Sequence, residues 1–197
     1  MSDKRTQVLE ASIDLFAEEG FWNTPTTRIA KHAGVGTGTL FNYFGSKEGL
    51  IDAVYMQLKQ EWGTHILAGW PMDASIREQL EHMWYRYLDF AFKYPERYAL
   101  KQQLRLSEMV SEETQIQEEE QMAFVVDLYN QAVSNGLLIE IPIEYFGLLM
   151  QSQVEAAIAY AQLLELQDTA LLKHIALSFE IFWNSVRAQE RVQSSAQ

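Results

Sequence analysis

Apolar residues recur along this chain at three- and four-residue steps and almost never in the two-residue alternation of a strand, so the pattern predicts helices throughout. From Lys4 to Glu19, the positions Val8, Leu9, Ala11, Ile13, Leu15 and Phe16 form one broad stripe, and Gly20 is placed to end it. A second, short helix is expected between an N-cap at Thr26 and a stop at Gly34. A third is expected from about Thr37 to Phe44, and a fourth from Lys47 with Ser46 as its cap. The fourth is long: Leu50, Ile51, Val54, Leu58 and Trp62 keep the helical spacing until Gly69-Trp70-Pro71 stops it.

A capping box, Ser75 with Glu78, opens a fifth helix in which Ile76, Leu80, Met83, Tyr87, Phe90 and Tyr94 share one face, and Pro95 at a first-turn position opens a sixth. Ser111 to Asn135 predicts a seventh, ending before Gly136. Pro142 to about Glu165 carries the small-residue patch Ala156 to Ala161, and a last helix, capped by Asp168, carries Ile175, Phe179, Phe182, Trp183 and Val186. The polar tail from Gln189 is expected to fray. The result is an all-α chain of about nine helices: a three-helix head in residues 1–50 and a larger helical body in residues 51–197.

Charge divides the chain in the same way. Asp and Glu outnumber Lys and Arg by 27 to 15, yet from Phe21 to Lys47 there is no acidic residue while Arg28, Lys31 and Lys47 contribute +3. Residues 1–50 hold five basic and six acidic side chains, so the body carries −11 of the net −12. Only the head can approach a polyanion without strong repulsion. Within the acid-free window, Thr26 to Lys47 reads as two short helices joined by a turn centred on Gly34, the layout of a helix-turn-helix whose second helix enters a DNA major groove.

Other chemistry is thin. With no cysteine, disulfides and thiolate metal sites are excluded. Elbow, phosphate-loop and His-Glu-x-x-His motifs are missing, and no histidine has a glutamate three residues before it, as a di-iron bundle requires. The expectation is a protein that is not an enzyme and uses no cofactor or metal. The N-terminus is polar and no uncharged apolar run approaches the roughly 18 residues of a membrane span, which leads to the expectation of a soluble cytoplasmic protein without a membrane partner.

The order of a helix, a second helix, a Gly-Val turn, Thr37-Gly-Thr-Leu-Phe-Asn-Tyr-Phe44 and then Gly45-Ser-Lys-Glu-Gly-Leu50 opening a long helix resembles the N-terminal domain of TetR-type, tetracycline-repressor-like transcriptional regulators over residues 4–55. The resemblance implies a homodimer that binds a palindromic operator in double-stranded DNA, most simply as a repressor, and is released by a small effector. It implies DNA contacts from Thr27 and Arg28 at the start of the second helix, from Thr37, Gly38 and Thr39 against the groove floor, and from Asn42, Tyr43 and Lys47 to phosphates. Two positions depart from the family pattern. Gly36 stands where Ser is common, which removes a side-chain cap, and Phe41 stands where Tyr is usual, which removes a hydroxyl. Phe41 reads equally as a DNA contact and as a packed aromatic.

The body carries an unusual load of aromatic and Met side chains. Candidates for an apolar or aromatic effector site are Trp62, Met83, Trp84, Tyr87 and Tyr98, together with Met109, Met122, Val126, Tyr129 and Met150. By default each is core, since apolar stripes at helical spacing are what folding needs. On the last two helices Ala157, Tyr160, Ala161 and Ile175, with Phe179, Phe182, Trp183 and Val186, are candidates for a four-helix dimer interface, or complete the core of one chain. The competing function is a helical adaptor that binds protein through this body and makes no sequence-specific contact with DNA; it leaves the acid-free window unexplained.

Overall fold

A computed structural model describes residues 3–121 and 123–188. It divides into two compact units, one of residues up to Ala68 with Asp89–Gln121, the other of Gly69–Leu88 with the residues from Met122 onward. The helices are α1 (Lys4–Glu19), α2 (Thr26–His32), α3 (Thr37–Phe44), α4 (Lys47–Leu67), α5 (Ile76–Lys93), α6 (Pro95–Arg105), α7 (Glu112–Gln121), α8 (Ala123–Ser134), α9 (Ile143–Leu163) and α10 (Asp168–Val186). Among the described residues the only strand-like contact is an isolated antiparallel bridge between Leu138 and Arg187. The stretch expected as one helix from Ser111 to Asn135 is described as α7 and α8 on either side of Met122. Met122 itself, the side chains of 118–121 and the tail expected to fray from Gln189 lie outside the described residues.

Two caps are where side-chain chemistry puts them. Ser46 Oγ accepts from the Gly49 amide at 3.1 Å and starts α4. At the start of α5, Ser75 donates to Glu78 through its backbone N–H at 2.8 Å and its hydroxyl at 2.7 Å, and Ser75 Oγ accepts from the Glu78 amide at 3.3 Å.

Two other helix starts differ from expectation. Pro25, not Thr26, is the N-cap of α2, its carbonyl accepting from Arg28 and Ile29. A proline loses nothing at a position whose N–H has no helical partner, and its ring holds φ at −71°. Asp168 does not cap α10; it occupies the first position with φ 47°, while the Gln167 carbonyl accepts from Ala170 and Leu171. A short side chain such as Asp tolerates that left-handed backbone.

In the first unit the stripe of α1 meets α2, α3, α4 and α6 in one core that includes Phe16, Ile29, Leu40, Ile51, Tyr55 and Leu104. Ser12 is buried in that stripe because its hydroxyl donates to the Val8 carbonyl at 2.7 Å, satisfying it within the helix. The second unit centres on aromatic rings. Trp84 stacks on Phe182 with centroids 4.9 Å apart, and its Nε1 donates to Ser178 Oγ at 3.0 Å. Tyr129 packs on Phe146, and its hydroxyl both donates to the Ile141 carbonyl and accepts from the Ile141 amide, closing the turn before α9. No helix among the described residues is long and apolar enough to cross a membrane.

Candidate nucleic-acid interface

The second helix of the motif is short and held by Leu40, with Phe44 packed half-buried against the same core. Within α3 only Leu40 is buried; Thr37, Thr39 and Phe44 are half-buried, and Gly38, Phe41, Asn42 and Tyr43 are exposed. Burying one leucine contributes roughly 1.5–3 kcal/mol. The turn before it closes through the Val35 amide donating to Ala30, with Gly34 at φ 67°. Gly36 occupies the N-cap with no side chain to offer, and its carbonyl accepts from Thr39 and Leu40.

Beyond α3, Gly45 at φ 72° turns the chain and Ser46 caps α4. The turn is tight: a Cβ added at Gly49 would lie 2.2 Å from the Phe44 carbonyl oxygen, a distance no side chain accepts. Glycine at this position is therefore a steric requirement of the α3–α4 junction. Lys47 is half-buried and donates from Nζ to the Trp22 carbonyl at 3.2 Å, tying the start of α4 to the loop between α1 and α2.

The structure gathers the predicted DNA residues on the head: Thr27 and Arg28 are exposed at the first turn of α2, and α3 presents Gly38, Phe41, Asn42 and Tyr43 outward. Phe41 is 40% exposed and Tyr43 44%, high values for aromatic rings that have a core within reach. Two participants have no sequence signal in the window itself. Glu19, at the end of α1, forms an ion pair with Arg28, so the acid-free stretch receives a carboxylate from just outside it. Arg5 places its guanidinium 5.5 Å from the centre of the Phe44 ring, adding a cation at the end of α3.

Of the effector candidates, Trp62, Tyr98 and Met109 belong to the first unit, and Met83, Trp84, Tyr87, Val126, Tyr129 and Met150 to the second. Trp84 and Tyr129 spend their polar atoms on Ser178 and Ile141 and act as core. Met122 is outside the described residues. Two hollows have other walls: one of about 560 Å³ lies beside α1, α4 and α7, with Arg5, Asp52, Gln57 and Glu61 among its lining residues, and one of about 420 Å³ lies on α9 and α10 between Tyr160, His174, Leu177 and Ile181.

Of the dimer candidates, Tyr160 is 50% exposed, whereas Ala157, Ala161, Ile175, Phe179, Phe182, Trp183 and Val186 are buried within the single chain. Large apolar side chains that α9 and α10 leave exposed include Tyr145, Leu148, Tyr160, Leu163, Leu172, Leu177 and Ile181, and of these Tyr160, Leu177 and Ile181 share the lining of the α9–α10 hollow. Two lysines that periodicity conceals, Lys59 and Lys101, are buried in the first unit beside Trp62.

A short exposed helix set after a glycine turn, within an acid-free stretch of an otherwise acidic chain, defines a helix-turn-helix protein. A family model described as bacterial regulatory proteins of the TetR family matches residues 8–54. A protein of Shewanella sp. PV-4, assigned to the TetR family of transcription regulators and known from its crystal structure, superposes with a TM-score of 0.87 at 30% identity, over 95% of this chain and 100% of that one. The chain belongs to the TetR family of bacterial transcription regulators. The nucleoid occlusion factor SlmA of Haemophilus ducreyi is 31% identical over 96 residues, 48% of each protein. The fatty acid metabolism regulator protein of Bacillus subtilis is 33% identical over 76 residues, 39% of this chain and 36% of that one. The matches span about half or less of the length of these two curated relatives.

Proposed function

We propose that the protein represses transcription by binding a palindromic operator as a homodimer, with residues 1–50 as its DNA-binding domain, and that a small effector held in residues 51–197 releases it. The observation that carries this reading is the outward face of α3: one buried anchor, Leu40, and beside it Gly38, Phe41, Asn42 and Tyr43, within a stretch of sequence from Phe21 to Lys47 that contains no acid. Thr37 and Thr39 offer hydroxyls and methyl groups to base edges, and Gly38 permits close approach. Arg28 matches two guanine acceptors once it leaves Glu19. Asn42, Tyr43 and Lys47 take phosphates, the contacts that set register.

One recognition helix covers few base pairs, so two heads roughly 34–36 Å apart would read a palindrome. The exposed apolar side chains Tyr160, Leu177 and Ile181 around the α9–α10 hollow form the face proposed to join the two copies, burying apolar surface that one chain leaves in water. An effector acts by favouring a dimer whose head spacing no longer fits the site. The name of the Bacillus subtilis relative, a fatty acid metabolism regulator protein, supports a small molecule with an apolar body.

The test is selection of sites from a random duplex pool by the purified protein at two salt concentrations. A palindrome should be enriched, with affinity falling steeply as salt rises because phosphate contacts release counterions. An unenriched pool, together with salt-insensitive capture of a protein partner, would favour the adaptor.

A further inference from the structure

The regulator reading gives no task to the hollow of about 560 Å³ beside α1, α4 and α7. Its volume falls in the range of small-molecule sites, roughly 300–1,000 Å³, but its walls are not those of an apolar pocket. Three charged side chains line it: Arg5 from α1, and Asp52 and Glu61 from α4. Glu61 is already satisfied, since Arg97 Nη1 donates to both its oxygens and Gln57 Nε2 donates to Oε1. The other two are not. Among the described residues Arg5 makes no ion pair and no side-chain hydrogen bond; its approach to the Phe44 ring at 5.5 Å leaves the N–H donors of the guanidinium open. Asp52 spends Oδ1 on the Ser111 amide at 2.8 Å, and its Oδ2 accepts from none of the described residues.

The hollow therefore presents one open cation and one open carboxylate oxygen, on two different helices. A concavity focuses the field of such charges. A guest that carries both complementary charges gains a charge-assisted hydrogen bond at each end, each roughly twice as strong as a neutral one. A guest with a single charge leaves one wall unmet, and a neutral apolar guest strips water from both without replacing it. The rest of the lining fits a short body between two polar ends. Leu9, Ala53 and Met56 offer apolar contact to an aliphatic segment, while the amides of Gln60 and Gln117, which hydrogen-bond to none of the described residues, can serve further polar groups.

We propose that this hollow binds a small amino carboxylate, a zwitterion whose carboxylate is held by Arg5 and whose ammonium is held by Asp52. The site differs in chemistry from that of the apolar effector proposed above and does not rest on that reading. Because Arg5 belongs to α1 and Asp52 to α4, the bound molecule ties the first helix of the head to the long helix that follows it.

Calorimetric titration of the full chain with L-leucine, whose two charges lie close together, and with 6-aminohexanoate, whose charges lie far apart, tests the assignment. Each is compared with the two molecules that retain one of its charges: 4-methylpentanoate and 3-methylbutylamine for leucine, hexanoate and pentylamine for 6-aminohexanoate. At least one zwitterion should bind about tenfold or more tighter than both of its one-charge counterparts. Arg5→Gln should remove the advantage over the amine. Asp52→Asn, whose side-chain carbonyl can still accept from the Ser111 amide, should remove the advantage over the acid. Binding of neither zwitterion, an acid or amine that binds as tightly as its zwitterion, or unchanged preferences in folded forms of both variants would overturn the proposal. Should a variant lose its helical content, the comparison in the unaltered protein decides alone. Site selection from the duplex pool with the same protein separates this proposal from the regulator reading. A palindrome enriched by a chain that binds no zwitterion would retain the regulator and discard the site. Zwitterion binding that depends on Arg5 and Asp52, in a chain that enriches no DNA, would retain the site and discard the regulator.

Discussion

Arg97 on α6 holds Glu10 on α1. Its Nη2 donates to Glu10 Oε2, while its Nη1 donates to both oxygens of Glu61 on α4, at 2.9 and 2.8 Å. Gln57 donates to the same two carboxylates from the other side. Burial draws the guanidinium's pKa down, but the hydrogen bond to Glu10 and the charges of Glu61 and Glu10 outweigh it and leave the pKa above its ordinary value. One planar fork thus pins the first helix of the head to two helices that follow it. Arg97→Ala leaves two carboxylates facing each other and is expected to lower stability by roughly 1–2 kcal/mol, an effect of a network and not of one exposed pair. Urea denaturation, with Arg97→Lys recovering only part of the loss, checks this.

Gly49→Ala should be more damaging than its size suggests. Its methyl would collide with the Phe44 carbonyl oxygen, so the α3–α4 junction must shift, at a cost of about 1–3 kcal/mol. Because that shift moves α3, operator affinity should fall together with the melting temperature. A stable variant with full affinity would refute the steric reading of this glycine.

Arg28→Ala and Tyr43→Phe should weaken operator binding and leave the oligomeric state unchanged. Glu19→Gln should do the reverse for affinity, since it removes the carboxylate that competes with DNA for Arg28. Fluorescence anisotropy with a labelled operator, alongside sedimentation, distinguishes these outcomes.

Leu177→Glu places a charge beside the exposed Tyr160 and Ile181 at the α9–α10 hollow. Sedimentation equilibrium should report monomers with the helical content of the unaltered chain. A dimer that survives this change would move the interface elsewhere.

The capping box of α5 sets a pH dependence. The Ser75 hydroxyl first, and its backbone amide next, hold the Glu78 carboxyl below its usual pKa. A depressed carboxylate contributes stability above its ordinary pKa and loses it as pH falls through the lowered value. The gap in melting temperature between the unaltered protein and Glu78→Gln should therefore be present at neutral pH and close in acid, below the ordinary glutamate range.

Much of this fold is legible in the sequence because its signals are local. Ser46 and Ser75 are read correctly as caps since a hydroxyl three residues before the amide it accepts from is a one-dimensional pattern. Thr26 is not, because the proline before it takes the cap position and a propensity for side-chain capping is blind to a backbone already fixed. The exposed residues of α3 follow from helical spacing around Leu40. The partner of Arg28 does not, because Glu19 approaches from another helix. Lys59 and Lys101 are hidden for a different reason: a charge on an apolar stripe reads as a stem lying along the surface, and only three-dimensional packing shows both ammoniums drawn inside.

The slight anchoring of α3 bears on how such a protein acquires a new address in a genome. A helix of eight residues would not persist by itself in water. It exists because Leu40 and the flanking turns are fixed, and the exposed residues Gly38, Phe41, Asn42 and Tyr43 contribute little to that mounting. Those positions can be rewritten with little loss of stability, so descendants of one stable scaffold can drift from one set of genes to another by changing the letters they read while the frame that carries them stays the same.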